Sequence, residues 1–263
     1  MFGPGSSIGG PLDLRSALCT GSRRVAENAE VILVVLLFGP PGCGKGTQAA
    51  TLAAHLGIPA ISTGEMFRAE GKAGTELGRR AASILAAGGL VGDEIVNAMV
   101  AQRVAREDCV SGFLLDGYPR TVPQARFFAA LLEERGLPQP AVIHLDVSDE
   151  VLIQRLTARR QCPQCLRIYN LLWQPPRRDS CCDDDGARLI TREDDQPAVI
   201  RQRLRAYEAL TNPILEWYGA SAVSRVDGGT EPARVTDTIE RVLLDKCALD
   251  SALMPAVLNW HGA

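Results

Sequence analysis

The stretch VILVVLLFGPPGCGKGT, residues 31–47, decides the fold of this chain. Its first eight residues are apolar, which is far short of the roughly 20 that a membrane helix needs and is typical of a buried strand. The glycines that follow let the backbone curl so that its N–H groups point inward, and the next helical stretch adds its positive N-terminal end. Lys45 can then reach the β- and γ-phosphates of a nucleotide. Strand, glycine-rich loop, Gly-Lys and helix in this order predict a phosphate-binding loop.

Short apolar segments recur along the chain and alternate with helical stretches. Three of these segments are almost continuously apolar, which is typical of strands buried on both faces in parallel sheets. This alternation predicts a doubly wound α/β fold with a parallel five-stranded sheet and helices on both faces. Together with the predicted phosphate-binding loop, it indicates a fold like that of the phosphate-loop NTPases. The predicted strands are at 31–38, 58–62, 112–116, 141–147 and 221–227, and the predicted helices include 45–56, 93–107, 123–135 and 197–218.

Two segments interrupt the alternation and two more flank it. Residues 62–91 are helical in composition, whereas residues 160–195 hold four cysteines and three prolines and are predicted to form an inserted mini-domain. The main α/β domain, with both of these segments inside it, is predicted to span residues 31–243. The N-terminal extension 1–30 is rich in Gly, Ser and Pro and is expected to be disordered. The C-terminal extension 244–263 has no predicted role.

The overall composition limits the class of protein. A length of 263 residues with 46% hydrophobic residues is enough for one sizeable α/β domain. The net charge of -3 argues against a general nucleic-acid binder, because such proteins are usually basic. No secretory signal is recognisable, so we expect a cytoplasmic protein without a membrane or nucleic-acid partner. In that compartment clustered cysteines indicate a metal site more than disulfides.

A second motif, DGYPR (116–120), ends the strand predicted at 112–116. An aspartate at the C-terminal end of a strand beside a phosphate loop is well placed to hold Mg²⁺ through water. Arg120 follows on a turn that Pro119 restricts. The alternative interpretation is a turn with a capping aspartate. Asp116 is therefore a candidate for magnesium binding, and Arg120 stands next to it.

Several segments together resemble the long-form adenylate kinases, in the order and spacing of that family. The resemblance extends over residues 31–243, and it implies an AMP-binding insertion at 62–91 and a lid at 160–195. It also implies the reversible reaction ATP + AMP ⇌ 2 ADP with Mg²⁺, which serves adenine nucleotide homeostasis, in a monomeric enzyme. The matching segments are GPPGCGKGT (39–47), ISTGEMFRAE (61–70), GFLLDGYPRTVPQA (112–125), RLTARR (155–160) and TREDDQPAVIRQRL (191–204).

The same resemblance implies roles for individual residues. Glu65 is a departure, because many relatives have Asp there, and Asp194 and Asp195 match an acidic pair at the C-terminal hinge of the lid. The residues implied for catalysis are Lys45, Asp116, Arg120, Arg155, Arg192 and Arg203. Those implied for ATP are Gly42, Cys43, Gly44, Lys45, Gly46, Thr47, Arg155 and Arg159. Those implied for AMP are Thr63, Arg68, Val91, Gly117, Arg120, Gln124, Arg192 and Arg203, with Thr63 and Gln124 at the adenine.

The residue types suit this chemistry. Phosphoryl transfer asks a protein mainly to position groups and to neutralise charge. The second pKa of a phosphomonoester is about 6, so the attacking oxygen of AMP is largely deprotonated at neutral pH and needs no general base. His55, His144 and His261 lie outside every motif and are expected to be structural or on the surface. Arginine binds phosphate oxygens in pairs through its planar fork.

Other functions remain open at this point. Within the enzymes, the chain could be another nucleoside monophosphate kinase or an AMP kinase that uses GTP. Thr63 and Gln124 favour AMP over CMP or UMP. Outside the enzymes, it could be an inactive nucleotide sensor or a zinc-dependent interaction module. The complete set of motif lysine and arginines argues against an inactive relative.

The cysteines of the predicted lid have metal-ligand spacing. Cys162 and Cys165 form a C-x₂-C pair, and Cys182 and Asp185 follow sixteen residues later in a C-x₂-D pair. This pattern is similar to the zinc-binding lids of some bacterial adenylate kinases, whose fourth ligand is Cys or Asp. A small lid with little apolar content needs a staple, and a structural Zn²⁺ supplies one.

Two alternatives to this metal site stay open. A register shifted by one residue takes Cys181 and Asp184 in place of their neighbours. The cysteines could also be free thiols or form a disulfide. A catalytic zinc is disfavoured, because four protein ligands leave no open coordination position.

Overall fold

Five parallel strands form one sheet at the centre of the computed structural model, which describes residues 32–257 and side chains as far as Lys246. Residues 1–30, predicted to be disordered, lie outside the described part. The strands are β1 (Leu33–Phe38), β2 (Ala60–Ser62), β3 (Gly112–Asp116), β4 (Ala141–Asp146), β5 (Arg159–Gln161), β6 (Ile168–Asn170) and β7 (Val223–Asp227). The sheet order is β2-β3-β1-β4-β7, and β5 and β6 form a separate antiparallel hairpin. The predicted five-stranded α/β fold is confirmed.

Helices connect the strands. Two of them are capped by a threonine side chain: Thr75 accepts a hydrogen bond from the backbone N–H of Gly78, and Thr121 accepts one from the backbone N–H of Gln124. Such a cap contributes about 1 kcal/mol. The helices of the described part are α1 (Lys45–Leu56), α2 (Thr63–Lys72), α3 (Glu76–Ala86), α4 (Asp93–Val104), α5 (Val122–Glu134), α6 (Asp149–Ala158), α7 (Pro197–Ala206), α8 (Asn212–Tyr218) and α9 (Pro232–Val257).

Strand β1 lies between two hydrophobic cores, because it is apolar on both faces. Val35 and Leu37 pack into the core on the side of α1, α6, α7 and α9. Val34 and Leu36 pack into the other core, with α4, α5 and α8. All four side chains are at most 1% exposed, and burying each contributes about 1.5–3 kcal/mol. This burial fixes the position of β1 at the centre of the sheet, with its carboxyl end at the carboxyl edge of the parallel strands.

The segments 62–91 and 160–195 contain different secondary structure. Helices α2 and α3 follow β2 and fill most of the segment 62–91. The β5–β6 hairpin begins the segment 160–195, and paired hydrogen bonds of 2.8 and 2.9 Å between the backbones of Gln161 and Ile190 join the two ends of this segment. The buried centre of the segment is small and consists of Cys162, Tyr169, Cys182 and Leu189, with Ala187 packed against it.

The structure differs from the predicted elements in two places. The helix predicted over 197–218 is interrupted, because Tyr207–Thr211 form a π turn between α7 and α8. Helix α9 runs on to Val257, so the segment 244–263 begins as a continuation of the last helix of the domain. Leu244 still packs against the core. None of the described helices combines the length and the apolar character needed to cross a bilayer.

Candidate active site

The phosphate loop begins where β1 ends. A Cβ atom on Gly39, whose φ is +144°, would lie 2.6 Å from the Sγ of Cys43 and 2.7 Å from the carbonyl oxygen of Leu145, so the loop requires glycine there. Lys45 opens α1, and its Nζ donates hydrogen bonds to the carbonyl oxygens of Gly39 at 2.7 Å and Pro40 at 3.0 Å. The ammonium group is therefore held within the loop, where this motif binds phosphates.

A cleft of about 1310 Å³ opens at the carboxyl edge of the sheet. It lies above β1, whose neighbours β3 and β4 flank it on opposite sides, and ligands bind at such a switch point in α/β sheets. A pocket for one small ligand usually measures about 300–1,000 Å³, so this cleft has room for more than one. Most predicted site residues line it: Gly42, Cys43, Gly44, Lys45, Gly46, Thr47, Arg68, Asp116, Gly117, Arg120, Arg155, Arg159, Arg192 and Arg203.

The other predicted nucleotide-binding residues line a small recess beside the cleft. Thr63, Val91 and Gln124 meet there, together with Gly117 and Arg120, which also line the main cleft. The first three are at most 6% exposed. The recess thus combines buried polar groups with an apolar wall, as binding sites for flat polar rings do.

Side-chain hydrogen bonds fix the loop that follows β3. The Oγ1 of Thr63 and the Nε of Arg120 both donate to the carbonyl oxygen of Gly117, at 2.9 and 2.8 Å. The Oε1 of Gln124 accepts from the backbone N–H of Arg120 at 2.7 Å, and its Nε2 donates to Asp93 at 2.8 Å. A side-chain amide carries two N–H donors, so Gln124 keeps one for a ligand. Sequence reasoning did not identify Asp93.

Five arginines of the cleft, Arg68, Arg120, Arg155, Arg192 and Arg203, are held in surroundings that disfavour their charge. Burial is the main cause in each case, and for Arg192 the charges of Arg159 and Arg68 add to it and lower the pKa to about 9. Burial also lowers the pKa of Arg68, Arg120, Arg155 and Arg203. The Nε of Arg68 and the Nη2 of Arg192 are buried and have no hydrogen-bond partner among the described residues. Buried cationic donors in this state are suited to bind an anion.

Replacing Arg68 with methionine should therefore stabilise the ligand-free protein, by about 1 kcal/mol. Methionine keeps the apolar stem of the side chain but removes a buried charge and an unpartnered donor. Thermal unfolding without nucleotide measures the effect. Arg80→Met, in the exposed face of α3, is the matched control and should change stability by less than about 0.5 kcal/mol. A lower unfolding temperature for Arg68→Met than for Arg80→Met would contradict this prediction.

Asp195 is a buried carboxylate that holds two of the cleft arginines. Its side chain is 0% exposed. Its Oδ2 accepts from the Nε of Arg159 at 2.7 Å, and its Oδ1 accepts from the Nη2 of Arg159 at 2.5 Å and the Nη1 of Arg203 at 3.1 Å. Asp194 pairs with Arg203 as well, at 2.8 Å. The acidic pair at the end of the lid segment thus also orients arginines, which the sequence did not predict.

On the opposite side, Arg155 is tied to the phosphate loop and to an aromatic ring. Its Nη1 donates to the carbonyl oxygens of Gly228 at 2.8 Å and of Cys43 at 3.3 Å. Its Cζ lies 5.8 Å from the centre of the Trp173 ring. Trp173 lines the cleft and is 55% exposed. Sequence reasoning missed Trp173, because no local pattern links a single tryptophan in the lid segment to an arginine on α6.

Four side chains of the lid segment meet in a group that could hold a metal ion. The ligand atoms of Cys162, Cys165, Cys182 and Asp185 all lie within 4.8 Å of one another. In a tetrahedral zinc site with Zn–S bonds of about 2.3 Å, two sulfur atoms lie about 3.8 Å apart. The sulfur atoms of Cys165 and Cys182 are 3.5 Å apart, and that of Cys162 is 3.1 Å from a carboxylate oxygen of Asp185. The donor set and the spacing both fit Zn²⁺.

The residues of the alternative register lie outside this group. Asp184 forms an ion pair with Arg167 instead. Cys181 is partly exposed, and its backbone pairs with Arg178 and Arg188. The four cysteines of the lid segment are free thiols in the structure. Among the described residues, the group of three cysteines and Asp185 is the one cluster of this kind.

Comparison with known proteins agrees with the geometry. The sequence profile of the family described as adenylate kinase matches residues 37–223. A curated adenylate kinase from Anaeromyxobacter dehalogenans (strain 2CP-C) is 42% identical over 212 residues, which are 80% of this chain and 99% of the relative. Adenylate kinases from Pelobacter propionicus and Trichlorobacter lovleyi are 45% and 48% identical, over 83% and 72% of this chain and 99% and 88% of the relatives. The chain belongs to the adenylate kinase family and is a phosphotransferase.

Proposed function

We propose that this protein catalyses the reversible, Mg²⁺-dependent transfer of a phosphoryl group from ATP to AMP, which gives two molecules of ADP and balances the adenine nucleotides. One observation carries the proposal. Lys45 and six arginines converge on a single cleft that extends from the phosphate loop to the recess beside Thr63. Two nucleotides repel each other through their phosphates, and a concentration of positive charge offsets this repulsion. In a chain of net charge -3, such a concentration is specific to the site.

The phosphate loop is the proposed donor site. The phosphates of ATP would take the place of the loop carbonyls as partners of the Lys45 ammonium group. Arg155, which is tied to the carbonyl oxygen of Cys43, would lie against the donor base, and Trp173 would extend that surface. Arg159, which Asp195 holds at the cleft, would contact the phosphates.

The recess beside the cleft is the proposed acceptor site. The free N–H of Gln124 can donate to a ring nitrogen of adenine, while the hydroxyl oxygen of Thr63 can accept from the exocyclic amino group. Val91, which lines the recess, would pack against the plane of the ring. Gly117 leaves the space that a side chain would fill, because a Cβ there would lie 2.8 Å from an Nη atom of Arg120. The phosphate of AMP would then be held by Arg68, Arg120, Arg192 and Arg203.

The chemistry proposed for this site needs charge compensation rather than a base. The two described histidines are engaged elsewhere, His55 with Glu240 and His144 with Tyr207. Mg²⁺ neutralises charge on the donor phosphates when it is bound. Asp116 would hold it, since its carboxylate lies 3.7 Å from the position of a Cβ on Gly46 and so faces the phosphate loop. A carboxylate oxygen is a ligand that this ion prefers.

The lid segment is proposed to close over the cleft and exclude water. Hydrolysis of ATP competes with transfer in an open site, so closure protects the reaction and brings Arg159 and Arg192 to the phosphates. Zn²⁺ held by Cys162, Cys165, Cys182 and Asp185 would stabilise the lid. Its role is structural, because four protein ligands complete a tetrahedral site.

A nucleotide panel tests the proposed reaction. ATP with AMP should give ADP at least about tenfold faster than pairs with CMP or UMP as acceptor, since the recess offers Gln124 and Thr63 to adenine. No ADP from ATP and AMP would reject the proposal. Faster reaction with CMP or UMP than with AMP would identify a different nucleoside monophosphate kinase. Faster reaction with GTP than with ATP would identify GTP as the phosphate donor. Nucleotide binding without turnover would indicate a sensor.

The protein is further proposed to work as a cytoplasmic monomer on ATP, AMP and ADP, without nucleic acid or membrane partners. The acidic net charge supports the absence of a nucleic-acid partner. The site is complete within one chain, because the phosphate loop, the arginines and the recess all come from the described residues of a single copy.

A further inference from the structure

The π turn Tyr207–Thr211 carries two cleft residues and follows a third. Arg203, Tyr207 and Thr211 are spaced four residues apart, and all three line the cleft. In a regular helix of about 3.6 residues per turn, each step of four residues rotates the side chain by about 40°. The π turn accommodates an extra residue and offsets this drift. It therefore keeps the three side chains on the side that faces the cleft.

Thr211 at the end of the π turn is bonded to the loop that presents Arg120. Its Oγ1 donates to the carbonyl oxygen of Arg120 at 3.1 Å. The backbone N–H of Arg120 donates to the Oε1 of Gln124 at 2.7 Å. Thr211 is 7% exposed and Gln124 is 2% exposed, so water does not compete readily for either bond. The main chain of Arg120 is thus held on both sides by buried side chains.

The other end of the π turn is bonded to the central sheet. The hydroxyl of Tyr207 lies 2.9 Å from the Nε2 of His144 on β4. His144 is 5% exposed and pairs in register with Phe38, the last residue of β1 before the phosphate loop. The π turn therefore links the base of the phosphate loop to the loop that carries Arg120.

We propose that the π turn is a positioning element for the acceptor phosphate, with Thr211 as the positioning residue that sets the place of Arg120. The proposal rests on the proposed function, in which Arg120 binds the phosphate of AMP. Thr211 acts through the main chain of Arg120, on the acceptor side of the cleft, so its loss should affect AMP and leave the donor site intact. If the hydroxyl served only stability, its loss would change the KM values for AMP and ATP equally or change neither.

Steady-state kinetics of Thr211→Val separate these roles. Valine keeps the shape of threonine and removes the hydroxyl, and Thr211→Ala takes its place in the comparison if the valine variant does not fold. We expect the KM for AMP to rise about five- to tenfold, while the KM for ATP changes less than about twofold. Thr211→Ser keeps the hydroxyl and should restore the KM for AMP.

Thr236→Val is the matched control for the loss of a buried threonine hydroxyl. Thr236 is 6% exposed and donates to Gln48 at 2.8 Å, away from Arg120. The Thr236→Val variant should lower the unfolding temperature about as much as Thr211→Val does, and it should leave the KM for AMP unchanged. Equal changes in both KM values, or no change in either with an active wild type, would overturn the positioning role. Failure of the wild-type protein to bind AMP in calorimetry would instead reject the proposed function, and this inference with it.

Discussion

Replacing Lys45 with methionine should lower kcat for ADP formation by about 100- to 1000-fold while the fold survives. The ammonium group lies within the phosphate loop, bonded to the carbonyl oxygens of Gly39 and Pro40. It lies in the loop that is proposed to hold the donor phosphates. Methionine has a similar length and no charge, so it removes the electrostatic contribution with little change of packing. A coupled assay of ADP formation measures kcat, and circular dichroism measures the unfolding temperature.

The control for this variant is Lys72→Met. Lys72 is exposed at the end of α2 and does not line the cleft. It should keep kcat within about twofold of the wild type, as surface substitutions usually change little. Turnover by Lys45→Met close to that of the wild type would show that the phosphate loop lysine is not part of the transfer step. Loss of the folded state would be visible as a change in the unfolding temperature and would separate misfolding from lost chemistry.

Replacing Cys162 with serine should abolish metal retention and unfold the lid segment. Cys162 is 0% exposed, and its Sγ accepts backbone hydrogen bonds from Gln164 and Cys165 at 3.4 Å each. The buried centre of this segment is too small to hold it together alone. We expect about one Zn²⁺ per wild-type chain, less than about a tenth of that in the variant, and a loss of protection from proteolysis between the two ends of the lid.

Two neighbouring variants define the register of the site. Cys181→Ser should keep its zinc, because Cys181 lies outside the group of four. Asp185→Ala should retain zinc less well than Cys181→Ser, since it removes one of the four ligands. Metal analysis after gel filtration compares them. The reverse order would move the ligands to Cys181 and Asp184, and absence of any metal from the wild-type protein would reject the zinc site.

The sequence predicts best those parts of the fold that depend on patterns of neighbouring residues. The apolar run before Gly39 specifies a strand buried on both faces, and the glycines that follow specify the loop, so β1 and α1 occur where predicted. Parallel strands bring their carboxyl ends to one edge. Motifs that follow different strands, such as Lys45 and Asp116, are therefore expected to meet, and both line the cleft.

Features that depend on contacts between distant segments could not be predicted. Asp195 and Arg159 are 36 residues apart in the chain, and their pairing depends on the path of the whole segment between them. The π turn leaves no trace in the hydrophobic periodicity of residues 197–218, because one extra residue shifts the pattern within its normal scatter. Trp173 reaches Arg155 for the same reason, through the path of the hairpin rather than through any local motif.

The closed base of the lid has a consequence for how such proteins can diversify. The chain enters and leaves this segment at one point, where Gln161 pairs with Ile190 and Arg159 pairs with Asp195. A segment whose two ends coincide can be lengthened, shortened or exchanged between relatives without shifting the strands of the sheet. Exchange of the whole segment would therefore take the group of three cysteines and Asp185 with it in a single event. The strands of the sheet and the phosphate loop would keep their alignment.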